Sequence, residues 1–349
     1  MPGVSSSWNE ANSTTPWGSE GLVAYGVVMS LILTTGLTAN ILTIIVLMRR
    51  EHRSKVITPF MINVAVLDLI IIALGYPVAI IANFTGIRMK EGDSQCQWTA
   101  FINGATGIAA IITLTAMSIV MRNTITHPIV KKRLSCKYLF GSLCAIWTYG
   151  ILTMLPPLVG WSKFVPGAAK VSCGPDWETQ NASTLSYNIV LLIVGFVIPV
   201  GIISACYLNI FRFLRSQPVP PAFISITSRR RRAHLRIARM ILVSIISFVI
   251  SWSPYCVVSV IAMVQRAPAL SQGFAEIPEL MAKASVVYNP LVFTVMNRGF
   301  RRSLCLIVPC LGCSVGHGIS GRDGLYIWLG MKDLTDRSSV ISNVAVKKR

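Results

Sequence analysis

The run Ile277-Pro-Glu-Leu-Met-Ala-Lys-Ala-Ser-Val-Val-Tyr-Asn-Pro-Leu-Val-Phe-Thr-Val-Met-Asn297 carries only two charged side chains, Glu279 and Lys283. A stretch of this length and apolarity is typical of a helix that crosses a bilayer, where water cannot solvate an ammonium group. Lys283 is therefore a candidate functional residue. Burial favours its neutral amine, which can condense with an aldehyde to form a Schiff base. The alternative is a lysine whose ammonium group snorkels to the membrane interface.

The whole chain has the composition of a membrane protein. Hydrophobic residues make up 53% of its 349 residues and charged residues only 13%, more apolar surface than a soluble domain can hide. Several stretches approach the roughly 20 residues that a helix needs to cross a bilayer, and none alternates like a barrel strand. They lie at about 22–48, 57–83, 97–121, 138–160, 186–211, 237–263 and 276–296. The sequence predicts an all-α membrane protein, a seven-transmembrane helix bundle.

The positions of the basic residues predict how the bundle is oriented. The chain has 32 basic and 13 acidic residues, a formal net charge of +19. Its basic clusters fall beside span ends on one side, and basic loops stay in the cytoplasm, so we expect a multi-pass plasma-membrane protein with its N-terminus outside. The clusters are Arg49 to Lys55, Lys131 to Lys137, Arg229 to Arg239, and Arg298 to Arg302. Beside a span, such a tract indicates contact with the lipid bilayer or a cytosolic partner, and we expect no nucleic acid.

Four parts are expected along the chain. An extracellular tail covers residues 1–20, the seven-helix bundle 21–297, a short cytoplasmic amphipathic eighth helix 298–313, and a flexible cytoplasmic tail 314–349. Cys305, Cys310 and Cys313 lie just inside the membrane, a position typical of palmitoylation. Free structural thiols are the alternative.

The predicted outer face has its own chemistry. Asn12 and Asn181 begin glycosylation sequons in predicted extracellular segments, and Asn83 begins a third at the end of the second span. Cys96 and Cys173 are the cysteines predicted to lie in the oxidising space outside, so a disulfide between them is the economical interpretation.

These residues, taken in order, resemble a class A G protein-coupled receptor over about residues 20–315. Each match alone is ordinary in a membrane helix, whereas the ordered set is specific. The matches are Gly36 with Asn40, Asn63 to Asp68, Cys96, Trp147 with Pro156 to Trp161, Pro199 with Tyr207, Ser251 to Tyr255, and Asn289-Pro290.

Within that family the chain is similar to the opsins. Lys283 is followed by Ala-Ser-Val-Val and then Tyr288-Asn-Pro290, and the segment Ser172 to Asp176 is also opsin-like. The resemblance implies a covalent retinal on Lys283. It also implies a pocket with an aromatic lining, in which rigid rings bury large areas. The lining residues would be Trp252 near the retinal ring, with Phe248 and Tyr255. Plain core packing is the alternative for these aromatics.

A buried protonated Schiff base needs a counter-anion, or it loses its proton. The chain has 13 carboxylates, and the sequence places eleven of them, including Glu276, in termini, loops or at span edges. Asp68 and Glu279 remain. Glu279 stands four residues before Lys283, so the two side chains share a helix face. We therefore predict Glu279 as the counterion. A solvated glutamate at the extracellular end of the helix is the alternative.

The chain departs from the opsins at their usual counterion positions. Thr99 replaces the third-helix glutamate and Gly167 replaces the glutamate of the second extracellular loop. Two further hypotheses follow. A chloride ion near Thr99 could neutralise the cation, or the Schiff base could be deprotonated and absorb in the near ultraviolet.

Family resemblance also assigns switching residues. Asp68, Asn40 and Asn289-Pro290 are expected to form a polar network near the bundle centre, with a purely structural role as the alternative. At the cytoplasmic end, Val120-Met121-Arg122 stands where an acid-Arg-Tyr triplet is expected. Arg122 is a candidate for the missing arginine's role, although it is rotated by about 100° around the helix. Phe293 replaces the seventh-helix tyrosine.

Three functions remain open. The first is a signalling opsin that acts on a heterotrimeric G protein, with arrestin and a receptor kinase as further partners of a phosphorylated tail. The second is a retinal photoisomerase, which needs no G-protein contact and is favoured by the altered cytoplasmic residues. The third is a receptor for a diffusible ligand, in which Lys283 merely pairs with Glu279. We expect the first, and no enzyme activity. The four histidines are too dispersed to form a metal site.

Overall fold

The computed structural model describes residues 18–53, 55–127, 135–167, 169–216, 227–265 and 276–308. The chain divides into two units, Met1–Ile307 and Val308–Arg349, and of the second unit only Val308 is described. Asn12, Cys310, Cys313 and the predicted tail 314–349 lie outside the described residues.

The described chain is helical and follows the predicted order of spans. Helices and strands have these bounds: first span Gly18–Met48; a short helix Arg50–Arg53; second span Thr58–Leu74 and Tyr76–Thr85; third span Ser94–Thr126; fourth span Cys136–Met154; strands β1 Phe164–Pro166 and β2 Cys173–Pro175; fifth span Ala182–Leu192, a π-helical turn Ile193–Val197 and Ile198–Ser216; sixth span Thr227–Gln265; seventh span Glu276–Lys283 and Ser285–Met296; eighth helix Arg298–Ile307.

Five of these helices are long and apolar enough to be recognised as membrane-spanning by length and composition alone, namely the first, second, third, fifth and sixth spans. The fourth is 19 residues long and the seventh is divided into helices of 8 and 12 residues. The third span packs against the second, fourth, fifth and sixth spans. It is therefore the central helix of the seven-transmembrane bundle.

The fourth span ends earlier than the predicted boundary at residue 160. Its last helical residue is Met154, and a short 3-10 turn, Pro156–Leu158, follows. Proline lacks a backbone N–H and disfavours helical geometry in the residue before it, so two consecutive prolines stop the helix.

The seventh span is interrupted at Ala284, directly after Lys283. The backbone N–H of Val287 bonds to the carbonyl of Ala284, not to that of Lys283. The freed Lys283 carbonyl accepts a hydrogen bond of 2.7 Å from the Tyr76 hydroxyl of the second span. The interruption therefore fixes the lysine backbone from a neighbouring helix.

Pro290 frees a second carbonyl in the same span. Because proline has no N–H, the Val286 carbonyl four residues earlier lacks its helical partner. Asn40 of the first span donates to that carbonyl over 3.0 Å. Side chains from neighbouring helices thus satisfy backbone groups that the membrane could not hydrate.

The extracellular side carries a two-stranded antiparallel hairpin of β1 and β2, with Val165 opposite Gly174. A disulfide joins Cys173 of β2 to Cys96 of the third span, which confirms the predicted pair. This bond holds the hairpin against the outer end of the bundle.

The eighth helix is amphipathic, as the sequence predicts. Phe300 and Leu304 are buried while Arg301 and Arg302 are exposed. Cys305 lies in this helix, and palmitoylation there stays a prediction.

Candidate functional site

A cavity of about 1090 Å³ opens in the extracellular half of the bundle. Side chains of the third, fifth, sixth and seventh spans form its walls, and both hairpin strands contribute to its outer rim. Its lining includes Lys283, Glu279 and Glu276 from one face of the seventh span. We call this space the bundle cavity.

Lys283 lies on the wall of the bundle cavity and is only 6% exposed. Its Nζ is 2.6 Å from Glu279 Oε1 and donates to the Tyr25 hydroxyl over 3.3 Å. The same ammonium lies 5.7 Å from the centre of the Tyr25 ring. Burial at this level does not fit a snorkelling lysine, and an unpaired buried ammonium would cost several kcal/mol.

Glu279 uses both carboxylate oxygens. Oε1 faces Lys283, and Oε2 accepts a hydrogen bond of 2.7 Å from the Ser172 hydroxyl. Its side chain is 20% exposed, which does not fit a freely solvated glutamate. The i to i+4 spacing therefore gives the ion pair that the sequence predicts.

Glu276 is the functional candidate that the sequence argument missed, since it was assigned to the edge of the span. The structure buries it to 2% exposure, and its Oε1 accepts a hydrogen bond of 2.8 Å from the Ala169 backbone N–H. Its spacings of three residues from Glu279 and seven from Lys283 place all three on one helix face. That spacing is the signal that could have identified it.

Aromatic side chains form the deep wall of the bundle cavity, as the resemblance implies. Phe248 and Trp252 stack with ring centres 5.7 Å apart, and Trp252 meets Tyr255 edge to face at 6.2 Å. Trp177 donates to the Tyr255 hydroxyl over 3.0 Å. A side-chain carbon at Gly107 would lie 3.1 Å from the Trp252 ring, so this glycine makes room for the indole.

Thr99 does not reach the bundle cavity. It is buried, and its hydroxyl donates to the Gln95 carbonyl of its own helix over 2.9 Å. The third span instead presents Asn103, whose buried Oδ1 has no hydrogen-bond donor among the described residues. The structure therefore offers no support for a chloride held by Thr99.

The three polar side chains of the predicted network, Asp68, Asn40 and Asn289, are all buried. Asp68 Oδ2 has no hydrogen-bond partner among the described residues. Asn40 donates to the carbonyls of Gly36 and Val286 and not to Asp68.

At the cytoplasmic end of the third span, Met121 is buried where the family has its arginine. Arg122 is half-buried and donates to Asn123 over 3.2 Å. Tyr207 of the fifth span donates to the Ala238 carbonyl over 2.9 Å, and so joins the inner ends of the fifth and sixth spans. Arg122 therefore does not occupy the helix position of Met121, where the family's arginine is expected.

The glycosylation sequons differ in accessibility. Asn181 is exposed, and its side chain caps the fifth span by accepting from the Thr184 N–H over 2.6 Å. Asn83 is 0% exposed and donates to the Ala79 carbonyl, so the third sequon is not accessible to a glycan.

Comparisons with known proteins agree with this architecture. The model of the "7 transmembrane receptor (rhodopsin family)" matches residues 39–293. The squid rhodopsin crystal structure aligns with a TM-score of 0.76 at 23% identity, covering 86% of this chain and 89% of that chain. This likeness supports the fold.

Named relatives fall in the same family. "Rhodopsin, GQ-coupled" of Mizuhopecten yessoensis is 30% identical over 82% of this chain and 60% of its own length. Melanopsin of Felis catus is 30% identical over 85% of this chain and 62% of its own length. The chain thus spans less than two thirds of either relative. From the family match, the chain belongs to the rhodopsin family of seven-transmembrane receptors.

Proposed function

We propose that this chain is a light-sensing receptor that binds retinal covalently through Lys283, uses Glu279 as the counterion and signals to a heterotrimeric G protein. The observation that carries the proposal is the 2.6 Å ion pair between Lys283 and Glu279 on the wall of a cavity of about 1090 Å³. A buried lysine at the edge of an apolar cavity is the site that an aldehyde needs.

The residues of the site fit retinal in two ways. The bundle cavity is lined by stacked rings, which would restrict an apolar polyene, and its amine stands beside a carboxylate that would balance a cationic linkage. Bound retinal would supply light absorption and an isomerisation that displaces its linkage to the protein. The chain holds Glu279 in place through Ser172 and fixes the Lys283 backbone through Tyr76.

Light sensing and G-protein coupling are supported by the relatives, which are named as rhodopsins and melanopsins, one of them coupled to GQ. The inner end of the sixth span adds a basic surface that includes Arg236 and Arg239. Positive charge at this position favours an acidic cytosolic partner. Arrestin and a receptor kinase are proposed as further partners of the tail.

Covalent attachment is tested by incubating the purified protein with cis retinal, reducing with borohydride and mapping the adduct by mass spectrometry. We expect the retinal mass on the peptide that contains Lys283. The Lys283→Ala variant should lose it, whereas Lys163→Ala should retain it, because Lys163 lines the same cavity but pairs with Glu91. An adduct elsewhere, or none, contradicts the proposal and leaves the diffusible-ligand receptor.

A retinal photoisomerase is the second candidate, and the buried Met121 favours it because the family's arginine is missing there. Light-dependent nucleotide exchange on purified G protein separates the two functions. Exchange in the light supports the receptor. Light-driven isomer release without exchange supports the photoisomerase.

A further inference from the structure

We propose that Arg212 and Arg215, at the end of the fifth span that is predicted to be cytoplasmic, bind the head group of one anionic phospholipid of the inner leaflet. Together with Leu208 and Phe211 they form a site that we call the fifth-span groove. The proposal goes beyond the function given above and does not depend on retinal binding.

The fifth-span groove lies on the outer face of its helix. The opposite face is buried in the bundle, at Ile203, Cys206 and Ile210. With about 3.6 residues per turn, the groove residues recur at spacings of three, four and seven on the face turned away from the bundle. Leu208 and Phe211 are 55% and 60% exposed, and both arginines are exposed. The four residues and Ser216 line a depression of about 420 Å³.

The groove changes from apolar to charged along the helix. Leu208 precedes Arg212 by four residues, which places it about 6 Å deeper in the bilayer. The arginines lie in the last two turns of the helix, which ends at Ser216. A phospholipid has the same order of parts, with acyl chains in the hydrocarbon layer and a phosphate at its edge. The two ends of the groove therefore match the two ends of one lipid molecule.

The surrounding chain offers the two arginines little negative charge. No acidic residue occurs between Glu178 and Glu276, a stretch that includes the whole fifth and sixth spans. The helices of the third and fourth spans contain none either. Among the described residues beside the predicted cytoplasmic ends, the acidic one is Glu51, which accepts a hydrogen bond from Ser303. An anion for the groove must then come from outside the bundle.

A phosphate group fits the two guanidinium groups. Arg212 and Arg215 are three residues apart on one helix face, with Cβ atoms about 5–6 Å from each other. Each guanidinium can bond two oxygens of a phosphate through its planar fork of N–H groups. Phosphatidylcholine brings its own cationic ammonium group, whereas phosphatidylserine carries a net negative charge. We therefore expect the groove to prefer phosphatidylserine.

Photocrosslinking of the full chain, without retinal, tests the site. The protein is reconstituted into phosphatidylcholine vesicles that contain a minor fraction of phosphatidylserine with a photoreactive group in its acyl chain. Labelled peptides are mapped by mass spectrometry. We expect labelling of the peptide that contains Leu208 and Phe211, at a yield about 5- to 30-fold higher than from phosphatidylcholine carrying the same group, since each arginine contributes a factor of about five. Equal yields would mean that ordinary bilayer lipid covers the groove, and would overturn the proposal.

Paired variants separate a built site from general surface charge. Arg212→Gln with Arg215→Gln should lose the preference for phosphatidylserine at this peptide. Arg50→Gln with Arg53→Gln should keep it, although these arginines are also exposed, three residues apart and at the same side of the bundle. Loss in both pairs would assign the preference to the overall charge and overturn the proposal.

A charge-preserving pair guards against a folding defect. Arg212→Lys with Arg215→Lys retains both positive charges and should retain part of the preference. Complete loss in this pair, in protein whose thermal unfolding midpoint equals that of wild type, would contradict a site based on charge. Because no retinal is present, failure of the proposed receptor function would leave these results unchanged.

Discussion

Ser172 donates its hydroxyl to Glu279 Oε2 over 2.7 Å, one residue before the cysteine that ties the second extracellular loop to the third span. The disulfide thereby holds the donor that orients the candidate counterion. Ser172 and Glu279 are 107 residues apart in the chain, yet the loop and the candidate counterion are directly bonded to each other.

Replacing Ser172 by alanine should leave Glu279 Oε2 without its donor. A hydrogen bond to a charged group contributes about 1.5–3 kcal/mol, so thermal unfolding of the protein should occur at a lower temperature. The midpoint of thermal unfolding measures this effect. Ser186→Ala is the control, since Ser186 is exposed and bonds to Trp161. Equal shifts in both variants would refute the role of Ser172.

Replacing Tyr76 by phenylalanine should destabilise the interrupted seventh span. The buried Lys283 carbonyl would lose its donor, at a cost of about 1–3 kcal/mol. Thermal unfolding of the retinal-free protein should occur at lower temperature. Tyr138→Phe, at a 74% exposed position, should leave the midpoint unchanged. A midpoint as high in Tyr76→Phe as in wild type would argue against this contact.

Gly107→Ala should disturb the aromatic wall. The added methyl would meet the Trp252 ring at 3.1 Å. Such overpacking lowers the stability of the folded protein by about 1–3 kcal/mol. We expect weaker retinal uptake and a displaced absorption band. Gly141→Ala has open space around it and should behave like wild type or be slightly more stable. Normal uptake in Gly107→Ala would show that Trp252 does not need this space.

Docking of the eighth helix should depend on pH. His52 is buried, its Nε2 lies 3.1 Å from Ser303 Oγ, and burial followed by the nearby Lys55 charge lowers the pKa of the His52 imidazole. The folded state thus prefers neutral imidazole. Its contribution to stability is present above the unfolded pKa, about 6.5, and is lost as the pH falls below it.

Hydrogen exchange in Arg298–Ile307, corrected for the intrinsic pH dependence, measures this effect. Protection should fall as the pH drops from about 6.5 through the lowered pKa of His52 in wild type, and it should stay constant in His52→Gln, which cannot be protonated in this range. Equal pH dependence in both proteins would assign the change to another group.

The fold could be predicted from the sequence because each span carries its own signal in length and apolarity. The interruption at Gly75 has a local cause in Pro77, near the start of the next helix, whereas the interruption at Ala284 is accompanied by the contact of Tyr76 with the Lys283 carbonyl and has no such local signal. The early end of the fourth span had a local cause in Pro156 and Pro157, which the hydropathy pattern alone did not register.

The candidate site shows the same division. Lys283 and Glu279 were predictable from their spacing on one helix. Tyr25 was not, since it lies 258 residues from Lys283 and gives no local signal. Glu276 had the right spacing, but its position at the end of the span concealed that the second extracellular loop covers it.

The assignment of Glu279 as the counterion is tested by the absorption spectrum of the reconstituted protein, wild type beside Glu279→Gln, recorded with chloride present and with chloride exchanged for a bulky anion. If Glu279 is the counterion of a Schiff base on Lys283, wild type shows a visible band that Glu279→Gln loses at neutral pH, whatever the anion. A band that survives in Glu279→Gln but fades without chloride would place a halide there instead. The absence of a retinal band in wild type would contradict the proposal that retinal binds to Lys283.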